Sequence, residues 1–356
     1  MDAYKGSAPY WFQEIVHSLY PRFIVEKQRF ELEFFLYKAD QIVIRTFLVL
    51  TFSGVVLWFK KPLSWLQRLA RKNTLLHFNL LTSIFYLGVF YYSWHWVYDF
   101  DQLERLRPFY KAVHLYNIFH LKIPEPWLLY TLYAIYLISL LSAICRYKSV
   151  LSSFIASFLL ILFHGYFLSF EKIDHGQSTL IYAAILLPFM RYELKLQSTD
   201  YCQSTYTSFT LFLIQLSIAA SYLLSGLEKI FTSGFEWVSA QTFRSYLMLH
   251  DSQIGIAVAN SEVLSSLLPL LALLFQLGFI GILLLTDKKE KGAKILKYMI
   301  LLGGIAFHLG TKLLMDIGPY FSSWMFVYIF FLDWNLEKNT WLSEIISKQR
   351  NKQKGV

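Results

Sequence analysis

Read from its amino terminus, the chain alternates long apolar runs with short segments that hold most of its charge. A helix needs roughly 20 apolar residues to cross a ~30 Å hydrocarbon core. Nine runs approach that length, near 41–59, 76–97, 127–145, 149–170, 175–190, 208–229, 263–286, 298–315 and 318–332. The pattern predicts an all-α, polytopic transmembrane helical bundle of about nine spans. Between the sixth and seventh runs, Trp237, Phe243, Tyr246 and Leu247 recur at helical spacing opposite Ser239, Gln241 and Arg244, which predicts a short interfacial helix over 235–250. The expected organisation is an N-terminal segment with one extra span over 1–75, a transmembrane domain over 76–332 and a basic tail over 333–356.

Composition agrees with lipid as the solvent. Hydrophobic residues make up 56% of the chain and charged residues 16%, and the mean hydropathy is +0.42, more apolar surface than a soluble fold of this length buries. The net charge of +9 sits in short inter-run segments rather than on one face, so nucleic acid is excluded as a partner. Lys and Arg resist translocation, and their distribution alternates. Lys60 to Lys72, Arg146 with Lys148, Arg191 with Lys195, the run from Asp287 to Lys297 and the tail from Lys348 to Lys354 all fall on one side if there are nine spans. The expectation is an integral protein of a bacterial inner (cell) membrane, with its N-terminus outside and its C-terminus cytoplasmic. The first 38 residues lack the apolar core and cleavage site of a signal peptide, so the N-terminus is expected to be retained. Cys145 and Cys202 form neither a disulfide framework nor a metal-ligand spacing.

Ionisable groups at membrane depth are costly and therefore candidates for function. Asp40, Arg45, His95 and His164 have no obvious partners in the sequence. Three others fall toward the same, non-cytoplasmic side. His175 follows Asp174 at the mouth of the fourth and fifth spans; Lys229 follows Glu228 at the end of the sixth; His308 stands in the eighth, with Lys312 and Asp316 at four-residue steps along its face. Gln276 adds a polar group in the middle of the seventh. Desolvation disfavours an ammonium ion, which suits Lys229 to general-base work, with a histidine available to donate to a developing oxyanion. A lysine at this depth can instead snorkel to the interface and pair with Glu228.

The Asp174-His175-Gly176 mouth, the segment Ser221 to Ile230 followed by Trp237, and Phe307-His308 with Gly318 and Tyr320 beyond resemble the horizontally transferred transmembrane domain family, the membrane part of vitamin K-dependent gamma-carboxylase. So does the segment from Arg107 to Trp127. The resemblance covers about 76–332. It implies a gamma-carboxylase or quinone-epoxidase type of lyase whose cofactor is reduced vitamin K or menaquinone, with oxygen and carbon dioxide as co-substrates. In that family a membrane lysine deprotonates the quinol, which adds oxygen and yields a base strong enough to remove a carbon-bound proton. The resemblance makes Lys229, His175 and His308 the catalytic residues, with Asp174, Glu228, Trp237, Gln276 and Lys312 around the substrate. The partners implied are membrane lipid and a quinone or other lipid-soluble substrate.

The sequence departs from the family in four places. Glu228 stands where the carboxylase has a second basic residue, an arginine-glycine pattern is missing between Phe78 and Phe90, the chain ends soon after the last run, without the region that would hold a protein substrate, and an extra span at 41–59 precedes the family region. Two further readings stay open: a non-catalytic accessory or immunity protein for a secreted peptide, and a transporter using the buried ionisable groups as a relay.

Overall fold

Long apolar sequence becomes helix because a backbone removed from water must satisfy its hydrogen bonds within its own segment. The computed structural model describes residues 73–112, 116, 119–170, 178–196, 201–202, 205–250, 252–286, 290–318 and 320–332. Its helices are α1 (Leu75–Ser93), α2 (Val97–Arg105), α3 (Pro126–Ile144), α4 (Ser149–Leu168), α5 (Ser178–Leu196), α6 (Thr205–Ser233), α7 (Ala240–Leu249), α8 (Gln253–Ala259), α9 (Glu262–Gly278), α10 (Ile282–Leu285), α11 (Lys291–Met315) and α12 (Ser323–Phe326). Short 3-10 turns join α6 to α7, join α9 to α10 and extend α12 to Phe331. A two-residue antiparallel pair, β1 (Asn73–Thr74) with β2 (Tyr201–Cys202), ties the start of α1 to the segment before α6.

Five described segments are long and apolar enough to cross a membrane: α3, α4, Thr210–Ile230 within α6, Glu262–Leu285 across α9 and α10, and α11. The all-helical membrane reading holds at that level. Of the other four expected runs, 76–97 is α1, which is not among those five, and 41–59 lies outside the described residues together with most of the 1–75 segment and the whole of the 333–356 tail; the last two fare differently. The run at 175–190 is a helix whose apolar part, Ser178–Tyr192, is shorter. The run at 318–332 is not one span. Ser322 caps the four-residue α12, a 3-10 turn follows, and Met325, Phe326, Val327, Tyr328, Phe330 and Phe331 are buried inside the bundle. That segment is apolar because it fills a core, a distinction that periodicity alone does not make.

Two basic residues read as loop charges also sit elsewhere. Arg191 is 2% exposed within α5, its Nη1 donating to the Ala143 carbonyl at 2.7 Å and its guanidinium 5.1 Å from the Tyr86 ring centroid. It satisfies a carbonyl at the C-terminal end of α3, where the helix dipole favours a cation. Lys297 is fully buried two turns into α11, which begins at Lys291 rather than at 298.

Helices α3, α4 and α5 pack in sequence order, α1 lies against α3, and α6 lies against α5. Their core is dense in rings. Trp96 stacks on Tyr136 at 6.0 Å, while Phe100 stacks on Phe163 at 5.8 Å and on Phe167 at 6.0 Å. The remaining elements, from the C-terminal half of α6 to α12, form the second half of the bundle, and the candidate site lies there. The expected interfacial helix is α7, which buries Phe243 and Leu247 with Ala259 and leaves Tyr246 exposed.

Candidate functional site

Lys229 stands one turn before α6 ends, on the wall of a cavity of about 580 Å³. The walls come from α6, α7, α9 and α11, and Leu268, Ala272, Phe275, Phe307 and Leu314 make most of them apolar. Its Nζ donates to Ser225 Oγ at 3.0 Å and to the Ser225 carbonyl at 3.4 Å, one turn back along the helix. The Trp237 ring, carried by the 3-10 turn that ends α6, lies 5.0 Å from Nζ in cation–π geometry. No ion pair to Lys229 is formed among the described residues, and Glu228 next to it is exposed.

Gln276, 3% exposed, reaches the same serine from α9. Its Nε2 donates to Ser225 Oγ at 3.3 Å, while its Oε1 has no partner among the described residues. Gly226 allows this approach: a Cβ there would lie 2.9 Å from Leu277 and 3.2 Å from Gln276 Cβ. The sequence therefore brings Lys229, Trp237 and Gln276 to one place. Ser225, which fixes the amine, was visible only as one of the small residues before it.

His308 takes part in a second cluster. Its Nε2 is 2.6 Å from the Tyr222 hydroxyl, which is also 2.6 Å from the Tyr328 hydroxyl, and its ring stacks on Trp324 at 6.0 Å. When Nε2 is unprotonated it accepts from Tyr222, and Tyr222 in turn accepts from Tyr328. A Cβ at Gly304 would come within 2.0 Å of the Tyr328 hydroxyl, so glycine leaves room for that chain. His308 does not line the cavity. Phe275 and Phe307, stacked at 5.6 Å, do line it, and they pack against Tyr222 (5.5 Å) and His308 (5.1 Å) on their other sides. The two phenylalanine rings thus form the wall between the amine's cavity and the imidazole.

Tyr222 and Tyr328 were missed because tyrosines are abundant in this chain. The usable signal was position, since Tyr222 precedes Lys229 by seven residues and so shares its helix face. Lys312 forms an ion pair with Asp316 at 2.5 Å and lies 5.2 Å from the Tyr320 ring, beyond the cavity wall. The hydrogen bond from Lys312, and then its charge, hold the Asp316 carboxyl below its ordinary value. Asp174 and His175 lie outside the described residues. His95 is exposed at the turn after α1, and His164 is half-buried in α4. No group of three metal-ligating side chains occurs among the described residues. No family model, curated protein or solved structure matches the chain.

Proposed function

We propose that the protein is a membrane enzyme related to the transmembrane domain of vitamin K-dependent gamma-carboxylase, and that Lys229 is its base. The observation that carries this reading is the setting of Lys229: an amine on the wall of an apolar cavity, held by Ser225 and Trp237. Among the described residues no carboxylate lines the cavity. A head that offers hydrogen-bond acceptors, or an acidic O–H that the amine can take, therefore meets matching chemistry there, and the aromatic and aliphatic walls suit a ring and its tail.

A reduced vitamin K or menaquinone fits that description, and with oxygen and carbon dioxide it would supply the strong base of a carboxylation-type reaction. Lys229 in its amine form accepts the phenolic proton, and Ser225, itself bonded by Gln276, holds Nζ at the wall. Trp237 covers the amine and limits its hydration. His308 acts from behind the phenylalanine wall, its imidazole fixed by Tyr222, Tyr328 and Trp324. The basic ends of the helices then face the cytoplasm, and the Lys229 end faces the opposite side of the membrane.

The test is oxygen-dependent oxidation of reduced menaquinone by purified protein in lipid nanodiscs. Lys229→Ala is expected to lower the rate by roughly 10²–10⁴-fold, the usual worth of a general base, with the protein still folded by thermal melt. An unchanged rate removes Lys229 from the chemistry. No oxidation by the wild type favours a protein that binds an amphiphile without turning it over, as expected of an accessory or immunity protein.

A further inference from the structure

We propose that the cavity admits one membrane-resident, single-chain amphiphile through a lipid-side opening between α9 and α11, and that Gly310 sets the width of the track followed by its chain. This goes beyond the catalytic reading and does not depend on it, since the site would be filled in the same way whether or not Lys229 removes a proton.

The opening follows from residues that belong to two surfaces at once. Leu271 on α9 and Ala306 on α11 both line the cavity, yet Leu271 is 49% exposed and Ala306 is exposed on the outer face of its helix. They are flanked by Leu267 and Leu274 on α9 and by Leu302 and Leu313 on α11, all exposed. In a membrane those leucines face acyl chains, so the cavity is continuous with the hydrocarbon rather than with water. An apolar ligand dissolved in the leaflet reaches it sideways, without crossing an aqueous phase.

The track lies along α11. Gly303, Ala306 and Gly310 recur at steps of three and four, and all three line the cavity. A Cβ at Gly303 would rest on the Phe275 ring at 3.6 Å, whereas a Cβ at Gly310 meets nothing within 4 Å. The space in front of Gly310 is therefore the cavity itself. From Gly303 to Leu314 the helix rises about 16 Å at ~1.5 Å per residue, enough for a long chain. At about 580 Å³ the cavity is of the size that holds one small ligand, ~300–1,000 Å³, which favours one such chain over two. The one charged group among the described residues of the wall, Lys229 beside Trp237, complements an anionic or acceptor-bearing head. A free fatty acid or a prenylated ring meets these conditions, and a two-chain phospholipid does not.

The experiment uses the full chain in phosphatidylcholine nanodiscs with either of two photoreactive probes, a diazirine palmitate or phosphatidylcholine carrying the same group on one acyl chain. The palmitate probe is expected to label cavity-facing residues in 268–275 and 303–314. The phospholipid probe is expected to label the outer leucines Leu267, Leu274 and Leu302. Gly310→Leu fills the open space and should lower palmitate labelling of the cavity roughly tenfold, a change read directly as occupancy. Its thermal midpoint should not fall, because leucine is the better helix former. Gly310→Ala adds a single methyl and should give an intermediate loss, which keeps the test decisive if the leucine variant does not fold. Equal cavity labelling by both probes, or undiminished palmitate labelling in folded Gly310 variants, overturns the proposal. Labelling involves no turnover, so a failure here is separable from a failure of Lys229 as a base.

Discussion

At Tyr222 one hydroxyl serves two short hydrogen bonds, to His308 Nε2 and to the Tyr328 hydroxyl, both at 2.6 Å. Tyr222 is 2% exposed, so its removal leaves two polar groups with no water to replace it. Tyr222→Phe is expected to destabilise the protein by about 1–3 kcal/mol, measured by chemical or thermal unfolding in detergent, and to loosen the His308 ring. A stability equal to wild type would show that His308 and Tyr328 find other partners. Asp316 presents the opposite case, a fully exposed carboxylate whose pairing with Lys312 depends on charge. Its carboxyl is held below the ordinary carboxylate range, first by the hydrogen bond from Lys312 and then by that lysine's charge. A lowered folded-state value means that the stabilisation is present above the unfolded value of ~3.9 and is lost as pH falls through the lowered folded one. Asp316→Asn should therefore change the melting temperature slightly at neutral pH and flatten its decline only in strong acid. A pH dependence between 5 and 8 that disappears in this variant would contradict the assignment.

Among the elements, α6 does the most to build the site. Gln215, Tyr222 and Lys229 follow one another at seven-residue steps, so one face of a single helix presents each of them. Gln215 Nε2 donates to the Phe330 carbonyl at 2.7 Å, Tyr222 joins the His308 cluster and Lys229 reaches the cavity. Proteins keep few polar groups at such depth, and here each has a partner on a neighbouring segment. Three helices in this half of the bundle, two of them walls of the cavity, are started by serines. Ser239, Ser252 and Ser261 cap α7, α8 and α9, each side chain accepting from the backbone amide three residues on. Ser261→Ala should cost about 1 kcal/mol and fray the first turn of α9, read as faster amide exchange over 262–265. No change in exchange would mean that packing alone fixes that end. At the end of α3, Arg191 provides a tertiary counterpart of capping by binding the Ala143 carbonyl from a different helix.

For the whole molecule, the arrangement of helix ends matters most. The β1–β2 pair joins the start of α1 to the segment before α6, and Arg191 joins the end of α5 to the end of α3. Arg146 and Lys148 lie in the exposed turn between α3 and α4, both with positive φ. These features place the cationic turns at one end of the bundle and Lys229, α7 and the end of α11 at the other. Cys145, exposed and free in the α3–α4 turn, reports the orientation. With Cys202 replaced by serine, a membrane-impermeant maleimide should label Cys145 in inverted vesicles and not in intact cells. The reverse pattern would put the Lys229 cavity on the cytoplasmic side and sink the proposed topology.

The chain's own order of residues determined the solvent, the helices and the sites worth watching. Apolar runs near 20 residues admit few alternatives to helix in lipid, and an isolated Lys229, Gln276 or His308 within them stands out by its desolvation cost. Lys312 with Asp316 was legible too, because four-residue spacing on a helix makes neighbours without help from the rest of the fold. Long-range partners were not. Whether an apolar segment meets lipid or protein depends on what packs against it, so the run at 318–332 reads as a span while its Ser323–Phe331 part is core. A basic residue near a helix end reads as a topology signal until another helix supplies a carbonyl, as Ala143 does for Arg191. Only the tertiary structure set Lys229 and His308 on opposite sides of Phe275 and Phe307, because the direction of a side chain across a bundle is fixed by neighbouring helices that sequence spacing does not contain.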